Sequence, residues 1–109
     1  MQTGEARIAV FLAGGLLRVS SPVRLRAERE RLALLEAFGA RLRALRIAAG
    51  ISPGHLAEKC RLSPSTIGKS ELGRYEPRLT TIVRLADGVG CSANDLVGDL
   101  PVPQKPRAY

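Results

Sequence analysis

Two Ser-Pro dipeptides, Ser52-Pro53 and Ser63-Pro64, stand eleven residues apart, with Gly50 before the first and Gly73 after the second. A serine ahead of a helix accepts a hydrogen bond from one of its unpaired N–H groups, and a proline at the first helical position gives up an N–H that has no partner there. A glycine just past a helix end takes the left-handed turn that stops it. The pattern predicts two helices, at about 53–60 and 64–72, each of two turns. Helices this short are not stable alone, so both must share a core with longer neighbours.

Such neighbours are present on both sides. Ser21-Pro22 repeats the start signal, and from there to Ala49 the chain is rich in Arg, Leu, Ala and Glu, which reads as helix. Phe38, Leu42, Leu45 and Ala49 recur at helical spacing and form one apolar face, with Arg41, Arg43 and Arg46 outside it. Gly39 marks a candidate junction between an extension helix and the first helix of the domain proper. Arg24 with Glu28 and Arg26 with Glu30 are i,i+4 pairs, read as a solvated face. Beyond Pro77, which marks a loop, Leu79, Ile82, Val83, Ala86 and Val89 carry helical periodicity to Gly90. Ser92 then caps a last short helix whose Leu96 and Val97 cover the core. Residues 99–109, with three prolines in the final nine positions, are expected as an extended or disordered tail.

The 109 residues leave room for one compact domain, not for a multi-domain enzyme. Net charge is +7, from 17 Lys and Arg against 10 Asp and Glu, and suits a polyanionic partner or an acidic surface. The surplus is placed unevenly: residues 22–50 hold seven basic against three acidic side chains, and residues 51–90 six against four. Cys60 and Cys91 have neither disulfide-framework nor zinc spacing, so no metal is expected and a reducing cytoplasm is the default. The apolar run from Ile8 to Leu17 lacks the charge pattern and cleavage site of a secretion signal, and is about half the length needed to span a bilayer, so no membrane partner is expected. For the arm 1–21, three readings of RIAVFLAGGLLRV stand: a glycine-turned hairpin, a flexible arm, or residues ahead of the true start.

The segment FGARLRALRIAAGISPGHLAEKCRLSPSTIGKSELGRYEPRLTTIVRLADGVGCSANDLVG, a little over half the chain, resembles the Cro and phage-repressor type of helix-turn-helix, also called xenobiotic-response-element-like. RLRALRIAAGIS, HLAEKCRLSPSTIGKSELGR, the P-x-L-x-T-I-x-R-L-A stretch and S-A-N-D-L follow one another as that family has them. The resemblance implies an all-α, five-helix, lambda-repressor-like domain over residues 37–98, with residues 22–36 as a basic helical extension. Two helices joined by a three-residue turn cross closely only where a small residue sits at the crossing, the place of Ala57. Leu56, Cys60, Leu62 and Ile67 then point inward and fix the angle at which the second helix enters the major groove of DNA.

Carried over residue by residue, the resemblance implies base reading by Pro64, Ser65, Thr66 and Lys69. Lys69 is the leading candidate, since an ammonium donates to guanine O6 and N7. Phosphate contacts fall to Arg74, Tyr75 and Arg78 in the following loop, and to Pro53, Gly54 and His55 at a helix N-terminus whose free N–H groups face an anion. Arg46 and Glu71 match a partly buried ion pair that orients the recognition helix. The lone histidine and scattered acids form no catalytic constellation, and no cofactor is expected.

Several residues depart from the family pattern. Pro53 replaces a glutamine that bridges to DNA, Arg61 stands where the turn has glycine, Ser70 takes an apolar inward position, Leu72 a polar one, and Gly68 weakens the helix. The function implied is sequence-specific binding of double-stranded DNA by a transcriptional regulator, a repressor before an activator, acting as a homodimer on a two-fold operator. The dimer contact falls to the last helix or to the extension. The alternative is an antitoxin or other interaction module that grips a protein partner through residues 7–35 and binds DNA only to regulate its own operon.

Overall fold

The computed structural model describes residues 22–104. Five helices follow in order: α1 (Pro22–Ala48), α2 (Pro53–Cys60), α3 (Pro64–Glu71), α4 (Leu79–Val89) and α5 (Ala93–Val97). No strand occurs among the described residues, so the expected all-α, five-helix architecture is the one observed. The readings made for residues 1–21, including Ser21 as a cap, lie outside the described residues.

The short helices start as their sequence dictates. Ser52 accepts from the His55 N–H at 3.1 Å and Ser63 from the Thr66 N–H at 3.1 Å, each followed by proline. At α5, Ser92 and Asp95 cap each other reciprocally, Asp95 N donating to Ser92 Oγ at 3.1 Å and Ser92 N to Asp95 Oδ2 at 3.0 Å. The first four helices also end alike, in a paired backbone closure about one left-handed residue. Glycine fills that position at 50, 73 and 90, but at the end of α2 it is Arg61, with φ 58° and ψ 44°.

One core holds all five helices. Phe38 and Leu42 of α1, Leu56, Ala57 and Cys60 of α2, Ile67 of α3, Leu85, Ala86 and Val89 of α4 and Leu96 of α5 are buried together. Each short helix thereby gains the apolar contact it lacks alone. Leu62, in the turn, packs against this cluster from its edge.

Three features differ from the sequence-based expectation. First, α1 runs unbroken through Gly39, so the extension and the first domain helix are one 27-residue element. Gly39 is there because α3 leaves no room for a side chain: a Cβ on it would sit 2.4 Å from the Ser70 carbonyl oxygen and 2.6 Å from that of Glu71. Second, α4 buries only part of the face its periodicity suggests: Ala86 and Val89 are in the core and Ile82 packs against it. Thr81 and Leu85 are buried, whereas Leu79 is 75% and Val83 51% exposed, because α2 and α5 cover the other stripe. Third, the stretch from residue 99 to 104, expected as the start of a loose tail, makes ordered contacts. Leu100 packs on the core, and Gln104 N donates to Glu30 Oε1 at 2.7 Å, so this part lies back along α1. The Arg41 guanidinium donates to the Gly98 carbonyl and ties α1 to the point where the tail begins.

A shallow groove of about 340 Å³ opens between α1, the α3–α4 loop, α5 and the tail. No helix among the described residues is long and apolar enough to cross a membrane.

Candidate nucleic-acid interface

α3 is fixed from behind and bare in front. On its inner side Ile67 is fully buried, and Ser70, in a position that suits an apolar residue, is buried as well. Its hydroxyl donates to the Thr66 carbonyl at 2.8 Å, so the departure from an apolar residue leaves no unmet polar group. The backbone of α3 lies against α1 at Gly39.

Arg46 locks the end of α3. Its Nε donates to Glu71 Oε2 at 2.6 Å, Nη2 to Glu71 Oε1 at 3.1 Å, and Nη1 to the Ile51 carbonyl at 3.0 Å. Both side chains are about nine-tenths buried. This is a bidentate pair whose third guanidinium nitrogen also has a partner, the arrangement in which a buried ion pair holds its geometry. The bond to Glu71 holds the guanidinium pKa above its ordinary value, with burial opposing.

On the outer side of α3, Pro64, Ser65 and Lys69 are exposed. Ser65 and Lys69 are one turn apart on one ridge, and the next position on it is Leu72, 62% exposed. Thr66 is half-buried, and its hydroxyl lies 2.9 Å from Ser63 Oγ at the cap, so its hydroxyl is already engaged within the chain. Gly68 faces open space. Of the four residues expected to read bases, the structure therefore leaves Pro64, Ser65 and Lys69 open and ties back the polar atom of Thr66.

Pro53, Gly54 and His55 form the exposed first turn of α2, with the His55 N–H taken by Ser52. Arg74 and Arg78 are exposed on the loop after α3, and Tyr75 is half-buried between them. Arg78 is also the residue before α4, where its side chain makes no capping bond. At these helix starts Pro53 and Pro64 carry no N–H and Ser52 and Ser63 cap the third residue, so the fixed positive charge exposed here comes chiefly from Arg74 and Arg78.

One residue pair was not read from the sequence. Arg31, in the first half of α1, donates through Nε to Glu76 Oε1 at 3.0 Å and through Nη1 to Glu28 Oε2 at 3.1 Å. Glu76 sits between Tyr75 and Pro77, so the extension of α1 touches the loop that carries the candidate phosphate ligands. The two residues are 45 positions apart, and only their opposite charges hint at the contact. The Arg41 guanidinium is engaged with the Gly98 carbonyl, while Arg43 is exposed.

The described residues hold no cluster of three or more His, Cys, Asp or Glu fit for a metal ion. The Cys60 thiol is buried, donates to the Arg84 carbonyl at 3.3 Å, and has its pKa pushed up by burial, the reverse of an activated nucleophile.

Comparison with known proteins agrees with this arrangement. The sequence profile of the family described as a helix-turn-helix domain matches residues 37–97. Among solved structures, the restriction-modification controller protein C.AhdI from Aeromonas hydrophila is 37% identical over 57% of this chain and 94% of its own, with a TM-score of 0.56. The clp gene regulator ClgR from Corynebacterium glutamicum is 35% identical over 58% of this chain and 67% of its own, with a TM-score of 0.57. No curated protein sequence matches the chain. With more than half of its length matched, and with the caps, turn and buried pair described above, the chain belongs to the helix-turn-helix family of DNA-binding regulators, in its Cro and phage-repressor class.

Proposed function

We propose that the protein binds double-stranded DNA sequence-specifically as a homodimer on a two-fold operator and represses transcription there. The observation that carries the reading is the contrast across α3. One side is held by Gly39, Ile67, Ser70 and the Arg46–Glu71 pair, and the other presents Pro64, Ser65 and Lys69 without cover. A helix held so firmly enters a major groove at one angle and does not pay for ordering on binding.

In this reading Lys69 and Ser65 meet base edges, with Pro64 and the methyl of Thr66 in apolar contact beside them. Arg74, Tyr75 and Arg78, with Pro53, Gly54 and His55 at the start of α2, hold the phosphates. Lys69 is the only charged side chain on the reading ridge, which limits discrimination per half-site and favours two copies acting together. Exposed Leu79 and Val83 on α4 and Val97 on α5 offer apolar surface for that second copy. The regulators among the similar structures support a role at promoters, and a compact domain represses by occupying its site.

A second reading, an interaction module that binds DNA only to regulate its own operon, draws on the first half of α1. Residues 22–36 lie outside the matched segment and expose Val23, Leu25 and Leu32.

Selection of bound sequences from a random DNA library tests the proposal. The expected product is a palindrome with half-sites about 34 Å apart and a binding constant that falls steeply with salt. No enriched sequence and no salt dependence would overturn it.

A further inference from the structure

The loop between α3 and α4 lies along α1, and most of what it touches there is outside the matched segment. Gly73 is pressed against Glu36, where a Cβ would stand 2.9 Å from the Glu36 Cα and 3.0 Å from its nitrogen. Glu76 and Pro77 border the same groove as Leu34, Leu35 and Phe38. Arg31 donates through Nε to Glu76 Oε1 at 3.0 Å, while its Nη1 donates to Glu28 Oε2 at 3.1 Å and ties the guanidinium to its own helix. Of these α1 residues only Phe38 falls within positions 37–97, so the extension supplies the rail on which the loop rests.

Glu76 is also the one acid of that loop, and it stands between Arg74 and Arg78. Facing a phosphate backbone, its carboxylate repels the strand that the two arginines attract. We propose that Arg31 is a positioning residue of the DNA interface: by pairing with Glu76 it holds the α3–α4 loop against α1 and offsets the loop's only negative charge, leaving Arg74 and Arg78 to act on phosphate unopposed. The consequence for DNA rests on the function proposed above, whereas the hold on the loop does not. A loop ordered before DNA arrives loses less freedom on contact. Both partners are about half-exposed, and an exposed pair is weak by itself, so the effects expected are several-fold and not a collapse of binding.

Two measurements on the full-length protein test it, with Arg31→Gln, Glu76→Gln and the double variant, each checked for fold by circular dichroism. In the free protein, NMR order parameters of the backbone amides at residues 74, 75 and 78 should fall in both single variants, while those of α2 and α4 stay as they are. For binding, the probe is a duplex of mixed sequence at low salt, because phosphate contacts need no particular bases. Arg31→Gln should weaken binding several-fold when Glu76 is present and leave it unchanged in the Glu76→Gln background, as expected of a residue that acts through its partner. Arg31→Lys, which keeps the charge and a donor for Glu76, should restore most of the loss. Equal losses in the two backgrounds would show Arg31 acting on phosphate directly, and no loss in either, or unchanged order parameters, would leave a surface pair without this role; each overturns the proposal. A wild-type protein that binds no duplex would sink the function proposed above and the DNA half of this inference with it, while the order parameters still decide whether Arg31 holds the loop.

Discussion

Gly39 and Ser70 lie so close across the α1–α3 contact that a Cβ on the glycine would stand 2.4 Å from the serine carbonyl oxygen. Backbone fills that space, and backbone cannot rotate away. Gly39→Ala should therefore push α3 off α1 and destabilise the fold by about 1–3 kcal/mol or more. Gly68→Ala is the matched control. Its Cβ would meet nothing within 4 Å, so the better helix former should stabilise by up to about 1 kcal/mol. Urea unfolding of the two variants checks both signs.

The Arg46–Glu71 pair is buried and bidentate, so removing one partner strands the other. Glu71→Ala should cost about 3–5 kcal/mol. Replacing both residues by leucine should cost less than the sum of the single changes, because no charge is then left uncompensated. A double-mutant cycle by chemical denaturation measures the difference.

Arg61 occupies the left-handed position that glycine fills at the ends of three other helices. A side-chain-bearing residue there is strained by roughly 1–2 kcal/mol. Arg61→Gly should raise the melting temperature by several degrees, unless the greater freedom of glycine in the unfolded chain consumes the gain. An unchanged or lower melting temperature would mean that the contacts of Arg61, together with the unfolded-state freedom of glycine, offset the strain.

The bonds from Ser92 to Asp95 hold the Asp95 carboxyl below its ordinary pKa. A depressed carboxylate contributes stability that is full above its unfolded value, about 3.9, and is lost as pH falls through the folded value. The stability gap between wild type and Asp95→Ala should thus be constant from neutral pH down to about pH 5 and close below pH 4. Thermal unfolding across that range tests it, and a gap that persists in acid would show that the cap does not depend on the charge.

Lys69→Ala should relax preference at one base position, at a cost of about 1–3 kcal/mol on the preferred site. Arg78→Ala should weaken all sequences alike and reduce the salt slope by about one. Equal effects of the two on specificity would remove the division between reading and positioning.

Signals confined to a few neighbouring residues were legible in the sequence. Ser52, Ser63 and Ser92 start helices because their hydroxyls reach an N–H three residues on, which needs no knowledge of the rest of the chain. Gly39 was not legible as a packing residue, since its reason lies 31 positions away on α3. On α4 two apolar stripes overlap, and only the placement of α2 and α5 decides that Leu85 goes inward while Leu79 and Val83 stay out. The tail, judged by its prolines, concealed Leu100 and Gln104, whose partners are on other elements. At the candidate interface, the exposed ridge of Ser65 and Lys69 follows from the register of α3 and the Thr66 hydroxyl stands close enough to the helix start to join its cap, whereas the Arg31–Glu76 contact joins residues 45 positions apart that no local pattern links.

The bond between Gln104 and Glu30 brings the end of the described chain to within about two helical turns of its beginning at Pro22. Entry and exit thus share one flank of α1. In a chain cut to residues 22–104, a short linker could join the two ends and the backbone be reopened in an exposed loop, a circular permutant that keeps every helix in place.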